Sequence, residues 1–225
     1  MSTGASEVVI VDYGAGNLRS VARAVAHAGV EALVTAEPRR VEAASILIVP
    51  GVGAAADTMK HQREGGLDGP VKAHIEAGKP FLGVCMGQQA LFDVSEEGGQ
   101  HECLGVLPGR IVRFPRGMTV PHMGWNTVEL RAPHPVFEGI PDGSFFYFVH
   151  SYFPRPDDAS HIIGETDYDG VRFASVVGRD NVIATQFHPE KSSAMGLRLY
   201  ANFVRLARER GSIAPEAASM PAGSV

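Results

Sequence analysis

Pro80-Phe81-Leu82-Gly83-Val84-Cys85-Met86-Gly87 is a short apolar run that ends on a glycine-flanked cysteine. Residues 80–85 show no alternation of apolar and polar side chains, the pattern of a strand buried on both faces of a parallel sheet. The residues after it, through Leu91 and Phe92, read as a helix. G-x-C-x-G between strand and helix is the cysteine counterpart of the G-x-S-x-G turn that lifts a serine nucleophile off a sheet. A Cβ atom at 83 or 87 would crowd the neighbouring backbone of so sharp a turn, and the turn aims the sulfur out of the sheet edge. Cys85 would also stand at a helix N-terminus, whose partial positive charge favours a thiolate. The same residues fit a small buried core cysteine between two packing glycines.

Two more runs of this kind precede it, at 7–12 (EVVIVD) and 45–49 (SILIV). Helical patterns separate the runs. Leu18, Val21, Ala22 and Val25 share one helical face, and Gly29 suits its C-terminal cap. A second helix over 67–77 carries Leu67, Val71 and Ile75 and closes at Gly78. Strand–helix–strand–helix–strand is the unit of an open α/β sheet, which binds ligands beyond the carboxyl ends of its strands. The second half is richer in strands, predicted at 104–114, 119–130, 145–149, 160–165, 171–177 and 182–187. A last helix over 193–209 puts Met195, Leu199, Phe203 and Leu206 on one side. The whole predicts one α/β domain over 7–209, an open mixed sheet flanked by helices. A short extension at 1–6 and an Ala/Ser/Gly/Pro-rich, disordered tail at 210–225 flank it.

The 225 residues include 20 Lys plus Arg and 25 Asp plus Glu, a formal net charge of −5. That balance argues against nucleic-acid binding. The aliphatic runs are far shorter than the roughly 18 residues of a membrane span. The first seven residues have no basic start and no apolar stretch, so no secretory signal is read there. Two cysteines make no disulfide framework, and a cytoplasmic setting is expected.

A thiol nucleophile needs a base, and His188-Pro189-Glu190 follows the last predicted strand. Proline biases the preceding residue toward extended backbone, where residues i and i+2 project the same way. Glu190 then reaches one imidazole nitrogen and leaves the other for the sulfur, the logic of nucleophile, base and orienter. Pro50-Gly51-Val52-Gly53 ends the second run; such a turn presents backbone N–H groups to an anion, here with the N–H of Met86 as a second donor. Each of these stretches is also compatible with an ordinary loop. Asp12-Tyr13-Gly14-Ala15-Gly16 fails as a dinucleotide loop, because the third glycine position is Arg19. His101-Glu102-Cys103 has no second pair at ligand spacing, so no metal is assigned. Met123 and Trp125, in a stretch of turn formers, suit a surface that meets a partner.

Taken in order, the elbow cysteine, P-G-x-G and H-P-E resemble the triad-type glutamine amidotransferases. The chain is more narrowly similar to the glutaminase subunits of imidazole glycerol phosphate synthase. The stretches that carry this are Asp12-Tyr13-Gly14-Ala15-Gly16-Asn17, Pro121-His122-Met123-Gly124-Trp125-Asn126, Val149-His150-Ser151-Tyr152 and His188-Pro189-Glu190-Lys191-Ser192. The resemblance spans about residues 7–208 and implies a flavodoxin-like sheet. It implies Cys85 as nucleophile, His188 as base and acid, Glu190 as its orienter, and the 51–53 turn (Gly51, Val52, Gly53) with Met86 as the oxyanion hole. Gln89, Glu97, Ser151 and Tyr152 match positions that hold glutamine. Asn17, Met123, Trp125, Tyr147 and Lys191 match positions facing a (β/α)8-barrel cyclase subunit, the heterodimer partner that receives ammonia. No cofactor is implied. The glycines of the 50–53 turn would let a peptide flip when that partner is occupied, and Gly51→Pro would block the flip. Another ammonia-channelling amidotransferase, a partner-free cysteine hydrolase and a non-catalytic binding module remain as alternatives. Co-purification with a cyclase, glutamine turnover by Cys85→Ala, and labelling of Cys85 against Cys103 separate them.

Overall fold

The computed structural model describes residues 8–209. The extension at 1–6 and the tail at 210–225 lie outside the described residues. The first half runs β1 (Val8–Val11), α1 (Leu18–His27), β2 (Ala32–Thr35), α2 (Pro38–Ala43), β3 (Ile46–Gly51), α3 (Ala55–Glu64), α4 (Asp68–Glu76), β4 (Phe81–Cys85) and α5 (Met86–Gln89). The second half runs β5 (Val94–Ser95), β6 (His101–Glu102), β7 (Gly109–Arg113), β8 (His122–Leu130), β9 (Ser144–His150), β10 (Tyr152–Pro156), β11 (Ile162–Tyr168), β12 (Val171–Arg179), β13 (Val182–Thr185) and α6 (Ser193–Glu209).

Nine strands form one sheet in the order β2-β1-β3-β4-β13-β12-β11-β8-β9. Its first five strands are parallel and the rest antiparallel, so the expected open mixed sheet is present. The apolar runs behave as their lack of alternation requires. Val8 and Ile10 pack on one face with Val21 and Val25 of α1 and Leu199 and Phe203 of α6. Val9 and Val11 pack on the other with Val41 of α2, Met59 of α3, and Val71 and Ile75 of α4. Each such aliphatic side chain, fully buried, contributes about 1.5–3 kcal/mol.

Several expectations are corrected. A second, four-stranded sheet of order β10-β7-β5-β6 accompanies the main one. The predicted strand at 104–114 is a strand only over Gly109–Arg113. Its first residues instead wrap over the turn after α5, where Leu104 N and Val106 N donate to the carbonyls of Ala90 and Leu91 at 2.8 Å. Those are the carbonyls a longer α5 would need, so the helix predicted through Phe92 stops at Gln89 after one turn. The N-terminal charge of so short a helix is correspondingly slight. The strand predicted at 182–187 ends at Thr185, and the one predicted at 160–165 is shifted to Ile162–Tyr168.

Candidate active site

Parallel neighbours end at the same edge, and this brings three segments together. β3 and β4 pair with Gly51 opposite Cys85. β4 and β13 pair with Val84 opposite Thr185, so His188 emerges three residues later beside the cysteine. Cys85 has φ 54° and ψ −104°, a conformation L-residues rarely adopt. The flanking glycines show why the turn is tolerated. A Cβ on Gly87 would drive into the carbonyl oxygen of Val49, and one on Gly83 would stand 2.7 Å from the oxygen of Gly87. Val49 pairs with Gly83 inside the sheet and cannot retreat. Gly87→Ala is therefore expected to lose about 3 kcal/mol of stability, as an overpacked core does, and a urea melt beside wild type measures it.

Cys85, His188, Val52, Gly53, Met86, Gln89, Glu97, Ser151 and Tyr152 line a cavity of about 140 Å3, together with Val149 and His150. All four expected glutamine-contacting residues thus share one small cavity with the cysteine and histidine. A larger cleft of about 800 Å3 lies between the two sheets and contains none of them. Gly51 is opposite Cys85 but is not among the residues lining the cavity, and a Cβ on it would collide with the Tyr13 hydroxyl and Met86. A proline at 51 would therefore disturb packing as well as the turn. Gly53 has open space around it, but its φ of 100° strains any L-residue placed there, so the turn depends on glycine at both positions.

His188 and Glu190 form a buried pair, Nδ1 to Oε1 at 2.8 Å. The route differs from the extended one expected. His188 itself is extended (φ −100°, ψ 96°), but Pro189–Lys191 is a 3-10 turn, with the Ser192 hydroxyl donating to the His188 carbonyl at 2.6 Å. Proline fixes the φ that starts this turn, and the turn still delivers the carboxylate to Nδ1. Nε2 makes no hydrogen bond of sound geometry among the described residues and lies buried. Its tie to the Cys85 sulfur is one of proximity and charge. Burial alone would push the imidazole's pKa down. The Cys85 sulfur and then Glu190 outweigh it and raise the pKa to about 10.

Two further histidines sit nearby and are held neutral. His122 Nδ1 lies 3.0 Å from His150 Nε2, and His150 Nδ1 donates to the carbonyl of Tyr152 at 2.9 Å. Burial lowers their pKa values to about 4 and about 3. His188 is thus the imidazole of this group placed to carry a proton at neutral pH.

The other residues fall as follows. Glu97 lines the cavity, but its Oε2 accepts from Ala55 N at 2.7 Å and caps α3. Asn17 is exposed and caps α1, its Oδ1 accepting from Ser20 N at 3.4 Å. Trp125 and Tyr147 are cross-strand partners of β8 and β9, their rings 6.2 Å apart edge to face. Lys191 Nζ stands 5.8 Å from the Tyr147 ring centre, so these three form one patch, with Met123 alongside on the same strand face. Tyr13, Gln186 and His150 surround the cysteine and were not singled out for it in the sequence. Their signal was their place within the D-Y-G, Q-F-H-P-E and V-H-S stretches. Among the described residues no group of three or more His, Cys, Asp or Glu is placed to hold a metal. No helix there is long and apolar enough to cross a membrane.

A mixed sheet carrying a cysteine elbow beside a histidine–glutamate pair defines a class of amidase, and the glutamine amidotransferase class-I family matches residues 9–206. The imidazole glycerol phosphate synthase subunit HisH of Dehalococcoides mccartyi (strain CBDB1) is 51% identical over 200 residues, 89% of this chain and 97% of its own. That of Aromatoleum aromaticum is 51% identical over 210 residues, 88% and 98% of the two chains. A crystal structure of a glutamine amidotransferase superposes with a TM-score of 0.70 at 25% identity, over 89% of this chain and 99% of that one. The chain belongs to the class-I glutamine amidotransferases and, within them, to the HisH subunits of imidazole glycerol phosphate synthase.

Proposed function

We propose that the chain hydrolyses glutamine to glutamate and ammonia at Cys85 and hands the ammonia to a (β/α)8-barrel cyclase subunit, in a cytoplasmic heterodimer of histidine biosynthesis. The observation that carries this reading is the meeting of Cys85, Val52, Gly53 and His188 around one cavity of about 140 Å3, with Glu190 bonded to His188 behind it.

The sulfur of Cys85 attacks the side-chain amide carbon of glutamine, forming a C–S bond. Charge collects on the carbonyl oxygen, where N–H groups of the Val52–Gly53 turn and Met86 receive it; one such donor is worth about 2.7–4 kcal/mol of barrier. His188 gives its proton to the amide nitrogen, the C–N bond breaks, and ammonia leaves. Water then attacks the thioester carbon while His188 takes its proton. The C–S bond breaks, and glutamate leaves with the cysteine restored. Glu190 keeps the Nδ1 proton in place, so Nε2 is the nitrogen that exchanges protons. In the partner, ammonia enters a phosphoribulosyl-formimino carboxamide nucleotide, which becomes imidazole glycerol phosphate and aminoimidazole carboxamide ribotide.

The test is glutamate formation with and without the cyclase subunit and its nucleotide ligand. Slow release alone and a large rise with the liganded partner is the expected result. Full turnover without a partner, or none with it, counts against the reading.

A further inference from the structure

Gln186 is fully buried and is not among the residues lining the glutamine-sized cavity. Its backbone is fixed by Gln186 N donating to Ser175 O at 2.8 Å. Its side chain belongs to a run of hydrogen bonds whose direction can be deduced. The run begins at the main-chain carbonyl of Tyr152, which can only accept. The Gln89 atom 2.9 Å from it is therefore the amide nitrogen. That same nitrogen lies 3.0 Å from one arm of the Gln186 amide, which must accept and is therefore Oε1. The remaining arm, Nε2, is then the donor, and it points at Cys85 Sγ at 3.7 Å. A flip of either amide would set donor against donor or acceptor against acceptor in a buried place, a costly arrangement.

Resting on the reading of Cys85 as nucleophile, we propose that Gln186 is a positioning residue for it: its amide donates to the sulfur, holds it toward the cavity and favours its charged form. A hydrogen bond donated to a charged group stabilises that form relative to the neutral one. The sulfur carries charge at two points of the reaction, before attack and again as it leaves the thioester. The donor serves both, without touching glutamine.

The experiment is iodoacetamide labelling of Cys85 across pH in the full chain on a Cys103→Ser background, alongside glutaminase kinetics with the cyclase present. Cys103 is separate from the site, its thiol turned to the carbonyl of His101. Gln186→Met keeps length and removes the donor. It is expected to slow labelling at neutral pH about tenfold and to move the profile alkaline by about one pH unit, the scale of one charge-assisted hydrogen bond. In the kinetics kcat falls while KM stays within about twofold, because no glutamine contact is lost. Gln89→Met frees the Gln186 amide to turn and shifts the labelling profile the same way by less; it decides the matter if Gln186→Met does not fold. A folded variant whose labelling profile overlies wild type overturns the proposal, since a packing role would lower the melting temperature alone. Labelling needs no glutamine turnover. A wild type that releases no glutamate with its partner therefore sinks the glutaminase reading and leaves this comparison standing.

Discussion

Cys85→Ala is expected to lower glutamine-dependent turnover by at least about 10,000-fold, the scale of removing the nucleophile from a site whose groups act as a unit. The side chain is small and the turn is held by Gly83 and Gly87, so the variant keeps the fold. With an ammonium salt as nitrogen source the cyclase partner still forms product, because ammonia is all that the lost step supplies. Loss of both activities would place the defect in assembly rather than in the sulfur. A second effect follows at His188. In wild type the sulfur is the largest influence raising its pKa to about 10, against burial that lowers it. Without the sulfur, burial and Glu190 remain, and the titration of His188, followed by its ring proton resonances, falls well below 10. The stability linkage has a definite sign. A pKa raised on folding gives stability that is full below the unfolded value near 6.5 and disappears as pH rises through about 10. Cys85→Ala therefore has a smaller difference in stability between neutral and alkaline pH than wild type does.

The parallel core was legible because strands covered on both faces need apolar side chains at every position, as in Val8–Val11 and Phe81–Cys85. The elbow was legible because its glycines are dictated by backbone contact, not by packing taste. What escaped reading was held together by weaker rules. β2 is an edge strand of three half-covered residues and the exposed Val34, and shows no run. α3 buries Ala55, Thr58, Met59 and Gln62, so two of its four inward positions are polar and the helical period is hidden. β10 contains Pro154 and Pro156, which read as breakers, yet the strand pairs with β7 along its length. Gln186 has the same cause on a smaller scale. A buried amide is defined by partners 97 and 101 residues away in the chain, and no local pattern announces them. Asn17 and Glu97 each cap a helix, a use of the side chain that only the packed structure reveals.

Trp125→Ala is expected to weaken binding of the cyclase subunit by about 30-fold or more, as loss of an aromatic anchor worth about 2 kcal/mol does. Trp125 is 52% exposed, Met123 62% and Phe145 58%, a large apolar area for the face of a single sheet edge. Register explains why they gather. Met123 opposes Val149, Trp125 opposes Tyr147 and Thr127 opposes Phe145, so alternate residues of β8 and β9 put all six on one side. β9 is an edge strand of the nine, and Met123, Trp125 and Phe145 on that face stay exposed among the described residues. The same strands connect to the chemistry. His188 N donates to the carbonyl of Tyr147 at 2.9 Å, and Tyr147 N donates to the Ser192 hydroxyl at 3.0 Å. A partner pressing on Trp125 and Tyr147 thus presses on the segment that carries His188. Isothermal titration of the purified subunits gives the affinity, and glutamate release at saturating cyclase separates binding from activation. Trp125→Ala should recover most of its turnover when the partner is in excess. Val34, 36% exposed on β2 at the opposite edge of the sheet, is the internal control: Val34→Ala leaves the affinity unchanged. Equal effects at 34 and 125, or none at 125, would move the docking face away from β8 and β9.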